Sequence, residues 1–395
     1  MVNSALRRLQ MRRTAFFLST IIASGVASSA LATAPVAHPV RRVVDGNGVD
    51  VIRGTFNVSV PSISVGTDGD NGLAVGGETI GAAYVSILTS GIVVSGSTYI
   101  VTIGAKSDSF TQSGSGFVST EGNGATLVQS GYAFVYTSSD GTQALLTQNV
   151  APGQPYIDAG FAQLRSVTRP DGNKTTIIYK GLKYCPGGEE NDGEIGIYCP
   201  VGYRTAVRIN GISNNLGHVI KFSYTSNALN DLIVGQTYAE WSNMTVAKAV
   251  NANVEACSPL ADTCTLTGAW PTLTFGGTAT TGRTVTDSLN RVTQYPVVTN
   301  GAGATTAIKV RRPGATSDNI VANIDANSRV SSVVNEGVNY SYAYVDVGNQ
   351  RTTTVTDPNA KFVTYVGDKT TFLLSSYKDE LNRTTTYLYD TSGRV

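Results

Sequence analysis

The sequence predicts an all-β protein made largely of antiparallel β-hairpins. Glycine is frequent, at 42 of 395 residues, whereas charged residues make up only 14% and methionine occupies only 3 positions. Together with many Ser, Thr, Val and Tyr residues, this composition is typical of short strands joined by tight turns. A strand-turn-strand pattern also recurs from about residue 161 onwards. Since 41% of the residues are hydrophobic, the chain is able to build sizeable cores.

Residues 1–32 are predicted to form a signal peptide. Four arginines precede the apolar run AFFLSTIIASGV, and the small-residue stretch ASSALATA follows it. Cleavage after Ala32 is favoured over cleavage after Ala34, because Pro35 follows the second site. The apolar run is too short for a transmembrane helix of the mature protein, and an uncleaved N-terminal anchor is the alternative. Export by the general secretory route predicts a periplasmic, cell-surface or extracellular protein.

The charge of the chain argues against a nucleic-acid partner. Lys and Arg number 29 and Asp and Glu number 28, and removal of the four arginines of the signal peptide leaves 25 cations against 28 anions. Binding to nucleic acids depends on a basic surface that neutralises phosphates. The mature chain is nearly neutral and has no basic stripe, so we expect no such binding.

Four cysteines form two local pairs in this exported chain, which predicts two disulfides. We expect Cys185 to bond to Cys199 and Cys257 to bond to Cys264, although four cysteines allow three connectivities. A zinc site is the alternative. The cysteine spacings differ from those of zinc knuckles, however, and His218 is the only histidine near them in sequence.

Residues 33–160 are predicted to be a Gly/Ser/Thr-rich β region. The stretch GYAFVYTSSDGTQALLTQ at 131–148 places two strand-like runs on either side of Ser-Asp-Gly, which is typical of a hairpin. The stretch at 237–256 is rich in alanine and leaves a helix open, but it has no clear apolar stripe.

Residues 161–395 contain an internal repeat. Each copy is a strand, a turn that begins with Asp or Asn, a basic residue and a Thr/Tyr-rich strand. The side chain of the first turn residue accepts hydrogen bonds from nearby amides, and the last turn residue takes a left-handed conformation that glycine and asparagine tolerate. Ala360 is poorly suited to that last position. The copies begin at Ser166, Gly211, Thr284, Thr354 and Ser376, and the expected left-handed residues are Gly172, Gly217, Asn290 and Asn382.

A second type of turn alternates with the first. It is marked by Asp325, Asp346, Asp368 and Asp390, which are 21, 22 and 22 residues apart. Two strands of about seven residues and two turns fill this period, so each repeat is predicted to be one hairpin.

The terminal sequence Tyr387-Leu-Tyr389-Asp390-Thr-Ser-Gly393-Arg394 resembles the YD repeat of RHS (rearrangement hot spot) proteins. The resemblance covers residues 160 to 395 and is clearest from residue 324. The stretch GNGVDVIRGTFNVSVPSISVG, followed by GLAVGG, is similar to the segment that leads into the YD repeats of exported members. Tyr387 and Tyr389 are two residues apart and share one face of a strand.

The resemblance implies that the hairpins join side by side into one long sheet that winds as a spiral and closes into a hollow shell. Some family members enclose a toxic C-terminal domain, so a downstream toxin or further repeats are the partners that it implies. Self-cleavage is not implied, because the only Asp-Pro pair, Asp357-Pro358, lies in an ordinary repeat turn. The last residues match the start of a further repeat, and we expect a truncated member with an uncovered sheet edge.

We expect no catalytic, cofactor or metal site. The sequence has only 2 histidines, and His218 stands at the basic position of a turn. Catalytic and phosphate-binding motifs are missing, and the Asp/Asn-rich turns lack the spaced ligands of a calcium loop. The 19 tyrosines recur with the repeat, which favours a structural wall over sugar stacking. The sequence therefore predicts a non-enzymatic structural or encapsulating scaffold of the cell envelope or exterior. The alternatives are a surface adhesin or carbohydrate-binding module and, with less support, a secreted hydrolase.

Overall fold

A computed structural model describes residues 43–66, 72–80, 83–86, 90–103, 106–148, 161–184, 190–191, 193, 196–199, 204–224, 244–261, 263–278 and 282–390. These residues form 30 β-strands and no helix. All strand pairs are antiparallel, so the predicted all-β fold class is confirmed. The predicted signal peptide, residues 1–32, lies outside the described residues.

The first sheet belongs to the N-terminal part of the chain and has four strands in sequence order. They are β1 (Val49–Asp50), β2 (Thr55–Val65), β3 (Leu73–Ile80) and β4 (Ala83–Ser86).

The second sheet has fifteen strands, and most neighbours in it are also neighbours in sequence. β12 is an exception, because its start pairs with β5 and its end with β13, while β11 pairs with it from Gln163 to Thr168. The strands are β5 (Gly91–Ser95), β6 (Thr98–Ile103), β7 (Lys106–Ser113), β8 (Gly116–Ser119), β9 (Thr126–Ser130), β10 (Ala133–Thr137), β11 (Gln143–Thr147), β12 (Phe161–Thr168), β13 (Lys174–Tyr184), β16 (Arg204–Asn214), β17 (His218–Tyr224), β18 (Met244–Asn251), β19 (Thr272–Thr278), β20 (Gly282–Thr286) and β21 (Val292–Tyr295). A separate small hairpin holds β14 (Glu190–Asn191) and β15 (Ile197–Tyr198).

The third sheet has nine strands in strict sequence order. They are β22 (Val297–Thr299), β23 (Thr305–Val310), β24 (Ile320–Ile324), β25 (Val330–Asn335), β26 (Val338–Val347), β27 (Gln350–Thr356), β28 (Phe362–Asp368), β29 (Leu374–Lys378) and β30 (Thr384–Thr386). β22 follows β21 after Pro296, and a bridge between Gln294 and Arg311 joins the second sheet to the third. Consecutive hairpins thus line up side by side from β16 to β30.

The core lies between the first sheet and the two larger ones. Strand alternation sets which side chains enter it: Phe134 and Tyr136 of β10 are buried while Val135 between them is exposed. One buried cluster contains residues from all three of these sheets, including Phe56, Ile209 and Val333. The first sheet is therefore part of the core that the hairpins share.

Two further expectations from the sequence concern a possible helix at 237–256 and a division of the chain at residue 160. The alanine-rich stretch at 237–256 contains strand β18 rather than a helix in its described part, because its apolar side chains fit the pairing of β18 with β17 and β19. The division at residue 160 stays a prediction, and strands on both sides of it share the second sheet. Among the described residues we find no helix that could cross a membrane.

Candidate functional site

The repeat turns share one hydrogen-bond pattern. The first residue, Asp or Asn, accepts bonds through its side chain from the amides two and four positions later. At Asp287 these bonds, from Leu289 and Arg291, measure 2.9 and 3.0 Å. Asn300, Asp325, Asp357 and Asp379 repeat the pattern at 2.8 to 3.0 Å. The first residue therefore fixes these turns, as the sequence predicts, whereas the turn that ends at Gly172 begins with Arg169 and departs from the predicted Asp or Asn.

The fourth turn residue takes the left-handed conformation. Gly172, Gly217, Asn290 and Asn382 have φ angles of 85°, 86°, 58° and 63°, in agreement with the prediction. Ala360 also takes a φ of 59° in spite of its Cβ atom. The turn at Asp357 thus keeps the shared geometry, with a residue that is strained in this region.

The basic residue after the turn bonds back to the first aspartate. The Nε atoms of Arg291 and Arg383 donate to Asp287 and Asp379, each over 2.7 Å. His218 occupies the same position, and its Nδ1 atom lies 3.2 Å from the amide nitrogen of Asn214. These arginines and His218 are therefore part of the turn structure.

Of the aspartates expected to mark the second type of turn, Asp325 instead shows the hydrogen bonds of the first type, whereas Asp346 and Asp368 lie in turns of a different geometry. Arg351 donates to both carboxylate oxygens of Asp346 over 2.7 and 2.8 Å, and Lys369 lies 3.3 Å from the same carboxylate. The Arg351 hydrogen bonds hold the pKa of Asp346 far below its usual range. Asp368 accepts the amide of Thr370 over 2.8 Å.

Residues 45–65, which we call the N-terminal segment, lie against both larger sheets: the part up to Gly54 contacts the third sheet beside these turns, and β2 contacts β17, β18 and β19 of the second sheet. The hydroxyl of Tyr342 donates to Asp45 over 2.6 Å, and the side-chain amide of Asn47 donates to the same hydroxyl over 3.1 Å. Burial raises the pKa of Asp45 and the pKa of Tyr342. A repeat tyrosine and an N-terminal carboxylate are thus paired in the interior.

Arg351 connects the repeat to the N-terminal segment. Besides its pair with Asp346, its guanidinium donates to the carbonyl of Ile52 over 2.9 Å. The amide of Val330 donates to the carbonyl of Gly54 over 2.8 Å, and the hydroxyl of Thr353 donates to the carbonyl of Val51. The N-terminal segment is therefore bound to β25 and β27 through its own backbone.

Arg53 of the N-terminal segment contacts Phe372, which lies in the turn between β28 and β29. Its guanidinium carbon lies 3.5 Å from the ring centroid of Phe372, and it pairs with the buried Asp50 over 3.1 Å. Burial raises the pKa of Asp50. The next residue, Gly54, has a φ of 78°, and a Cβ atom there would lie 2.8 Å from the side chain of Arg329. A side chain at this position would therefore push the segment away from the sheet.

A hydrogen bond from a tyrosine hydroxyl to a backbone carbonyl also recurs in the repeats, and the turn pattern does not predict it. A tyrosine donates its hydroxyl to a backbone carbonyl of the preceding strand, 14 or 15 residues earlier: Tyr179 to Leu164, Tyr224 to Ile209, Tyr344 to Val330 and Tyr389 to Leu374, over 2.5 to 2.9 Å. The guanidinium carbons of Arg165 and Arg329 each lie 4.6 Å from the ring centroids of Tyr179 and Tyr344. The spacing of 14 or 15 residues between the carbonyl and the tyrosine is the sequence signal that could have revealed these bonds.

Of the residues that resemble a YD repeat at 387–394, the structure describes those up to Asp390. Tyr387 packs against the core cluster, Tyr389 makes the carbonyl bond just given, and Asp390 is exposed. Gly393 and Arg394 lie outside the described residues.

One predicted disulfide is confirmed. Cys257 and Cys264 are bonded and close a loop between β18 and β19. Cys199 is also disulfide-bonded, and Cys185, its predicted partner, lies outside the described residues. The ammonium of the buried Lys221 donates to the carbonyls of Pro259 (2.9 Å) and Ala261, which fixes the loop.

A shallow cleft of about 270 Å³ lies between the N-terminal segment and the start of β19. Its wall holds hydroxyls of Ser62, Ser64, Thr272 and Ser288, and the paired side chains of Asp287 and Arg291. The Ser288 hydroxyl accepts the amide of Thr272 over 2.6 Å. Within the described part of the chain, no group of three or more potential metal ligands is present.

No protein-family model and no curated protein matches the sequence. Among solved structures, the chain is similar to a porin-like protein from Bacteroides uniformis, with 8% identity, a TM-score of 0.22 and coverage of 76% of this chain and 94% of that chain. It is also similar to the Tc holotoxin pore of Photorhabdus luminescens with a mutant TccC3, at 10% identity and a TM-score of 0.18, over 87% and 23% of the two chains. The complex TcdB2-TccC3-Cdc42 gives 10% identity and 0.18 over 89% and 26%. The chain spans about a quarter of those two toxin chains, and scores of this size carry no functional conclusion.

Proposed function

We propose that this protein is an exported structural scaffold of the RHS/YD-repeat type, without enzymatic activity, which acts at the cell envelope or outside the cell. Its hairpins form a wall, and the N-terminal segment covers part of the inner face of that wall. A toxin or further repeats joined to the wall are the partners that this proposal allows. The spiral winding and the closure of the wall belong to the same proposal.

The observation that carries the proposal is the inward use of the repeat tyrosines. Tyr342 and Tyr365 are buried, and the hydroxyls of Tyr342 and Tyr344 bond to Asp45 and to the carbonyl of Val330. A sugar-binding surface needs tyrosine rings that stay open for stacking. Rings that are covered and bonded within the fold serve the wall itself.

The non-enzymatic part of the proposal is supported by how the titratable groups are used. His218 is buried beside Asn214, and Asp287, Asp325, Asp346 and Asp379 are each paired with an arginine. General acid-base catalysis needs such groups to face a substrate within hydrogen-bond reach. Here the carboxylates are held by the turns that they form.

Hydrogen exchange of the purified protein tests the scaffold. We expect the amides of Val51 to Phe56 to exchange as slowly as those of β25 to β27, because the N-terminal segment is bound to these strands. Fast exchange of the N-terminal segment beside a protected sheet would contradict the proposed wall. Turnover of any polysaccharide or protein by the purified chain would overturn the non-enzymatic part.

A carbohydrate-binding module or adhesin is the second candidate function, because the cleft described above carries several hydroxyls and a charged pair. A glycan array tests it with Arg291→Gln, at the cleft, and Arg383→Gln, in the same type of turn but outside the cleft residues. Glycan binding that is lost in the first variant and kept in the second would favour the module. Loss on Tyr387→Ala or Tyr389→Ala would instead place a sugar site at the terminal repeat. If the wild type binds no glycan, the carbohydrate-binding module is excluded and the scaffold is the function that is kept.

A further inference from the structure

Five asparagines of the chain stand in the acceptor motif for N-linked glycosylation. The motif is Asn-x-Ser/Thr, in which x is any residue except proline, and in a secreted protein it is modified at surface positions. The five acceptors are Asn57, Asn173, Asn243, Asn339 and Asn382. Asn243 lies outside the described residues. For the other four, the structure shows whether a sugar chain could be attached.

Two of the acceptors are buried in the fold. Asn57 of β2 and Asn173, which precedes β13, are only 7% and 6% exposed. A sugar chain is large and hydrated, so its attachment at either side chain would force polar groups into the interior. The folded protein therefore excludes a glycan at both positions.

Asn339 is exposed but belongs to a strand with neighbours on both sides. It lies in β26 and pairs with Val334 of β25. Ser341, which supplies the hydroxyl of this motif, pairs with Thr356 of β27. The backbone groups of such a segment are used by the sheet, so an enzyme that must hold the acceptor segment finds little free backbone here.

Asn382 lies in the turn between β29 and β30, and the surrounding turn faces the solvent. Asn382 is exposed, Leu381 is 71% exposed and the side chain of Arg383 is 75% exposed. The Asp379 carboxylate holds the turn by accepting the amides of Leu381 and Arg383, each over 2.9 Å. In the part of the chain that the structure describes, no hydrogen bond uses the side-chain amide of Asn382. Modification of this amide would therefore leave the bonds of the turn in place.

The hydroxyl residue of this motif is also accessible. Thr384 is exposed and begins β30, where it pairs with Lys378 of β29. Among the described strands, β30 pairs with β29 alone. The acceptor asparagine and the threonine two residues later can thus both be reached from the solvent, which distinguishes this motif from the one at Asn339.

We propose that Asn382 is a site of N-linked glycosylation. The co-reactant is an oligosaccharide carried on a lipid pyrophosphate, and a transferase joins the two. The side-chain nitrogen of Asn382 forms a bond to the anomeric carbon of the sugar, while the bond from that carbon to the pyrophosphate oxygen breaks. The lipid pyrophosphate leaves, and the amide nitrogen gives up one proton. The proposal rests on the export that is part of the proposed function.

Intact-mass spectrometry and peptide mapping of the full chain, purified from the cells that produce it, test the proposal. We expect a sugar chain on the peptide that contains Asn382 and none at Asn57, Asn173 or Asn339. Asn382→Gly, which removes the acceptor and tolerates the left-handed turn, should abolish the added mass. Thr384→Val, which keeps the asparagine but removes the hydroxyl, should also abolish it. Thr384→Ser is the matched control, because it keeps the motif, and it should retain the sugar.

The outcomes separate the glycosylation site from export. Circular dichroism of each variant checks the fold, and Asn382→Gly keeps the test decisive if Thr384→Val does not fold. A bare Asn382, or an added mass that persists in Thr384→Val, overturns the proposal. The mass of the N-terminal peptide reports export by itself: a chain cleaved after Ala32 but without a sugar overturns only the glycosylation site. A chain that keeps residues 1–32 and carries no sugar overturns both.

Discussion

Tyr342 donates its hydroxyl to the carboxylate of Asp45 across 297 residues of sequence. The tyrosine belongs to a repeat strand, and the aspartate begins the N-terminal segment that lies against it. Both groups are largely buried, and burial raises the pKa of each. The bond therefore satisfies two polar groups that would otherwise be costly to remove from water.

Removal of this hydroxyl should destabilise the protein. We expect Tyr342→Phe to lower the free energy of unfolding by about 1–3 kcal/mol, because the Asp45 carboxylate loses a buried donor. Urea unfolding followed by circular dichroism measures the change. Tyr132→Phe is the control, since Tyr132 is exposed and its substitution should change stability by less than about 0.5 kcal/mol. Equal effects of the two substitutions would contradict the role given to Tyr342.

The exposure of an arginine to solvent should decide how much its ion pair with aspartate contributes to the free energy of unfolding. We expect Arg351→Met to cost about 2 kcal/mol, because it leaves the carbonyl of Ile52 without this donor and Asp346 with Lys369 as its remaining partner. Arg383→Met removes a similar pair with Asp379, but there the arginine is 75% exposed, against 13% for Arg351. Exposed ion pairs contribute little, so this second substitution should have a much smaller effect. Chemical unfolding of both variants measures the difference, and a larger loss for Arg383→Met would refute the expectation.

Ala360 offers a stabilising substitution. Its φ of 59° is unfavourable for a residue with a Cβ atom, and we expect Ala360→Gly to raise stability by about 0.5–1 kcal/mol after the entropy of the unfolded glycine is included. The midpoint of urea unfolding should rise. Asn382→Gly, at the same position of another turn, is the control and should change little, because asparagine tolerates this conformation. A lower midpoint for Ala360→Gly would show that the turn is not strained.

Glu255 should order its loop down to low pH. Hydrogen bonds from the amide of Thr267 and the indole of Trp270 are the main causes that lower the pKa of Glu255 to about 2. A carboxylate with a lowered pKa stabilises the fold above its unfolded pKa, about 4.3, and loses this contribution as the pH falls toward the folded value. The indole NH signal of Trp270 in NMR spectra should therefore stay in place from neutral pH to about pH 4 and shift as Glu255 is protonated below it. In Glu255→Gln the signal should lack this transition, and an unchanged transition would assign it to another group.

The local parts of the fold could be predicted from the sequence. The turn positions of Asp287 and Asp379 and the left-handed residues Asn290 and Asn382 agree with the structure, because each depends on contacts within five residues. The Cys257–Cys264 bond is similarly local. Ala360, which the sequence marks as poorly suited to the left-handed position, nevertheless takes it, because the hydrogen bonds of the turn impose this conformation.

The contacts across the molecule could not be predicted in this way. Asp45, Ile52 and Arg53 carry no local signal that they meet Tyr342, Arg351 and Phe372. These contacts depend on how the whole sheet places distant strands. The tyrosine-to-carbonyl bonds join residues 14 or 15 positions apart, and the turn pattern, which extends over about five residues, carries no information on them.

The position of the N-terminal segment also sets an order of events during folding. The contacts of Val51 and Ile52 with Thr353 and Arg351 span 302 and 299 residues. Contacts of such high sequence separation form slowly, whereas each hairpin closes locally and early. β1 and β2 are therefore synthesised long before the strands that they contact. We expect the apolar residues Val51, Ile52 and Phe56 to stay accessible to chaperones until β27 and β28 have formed.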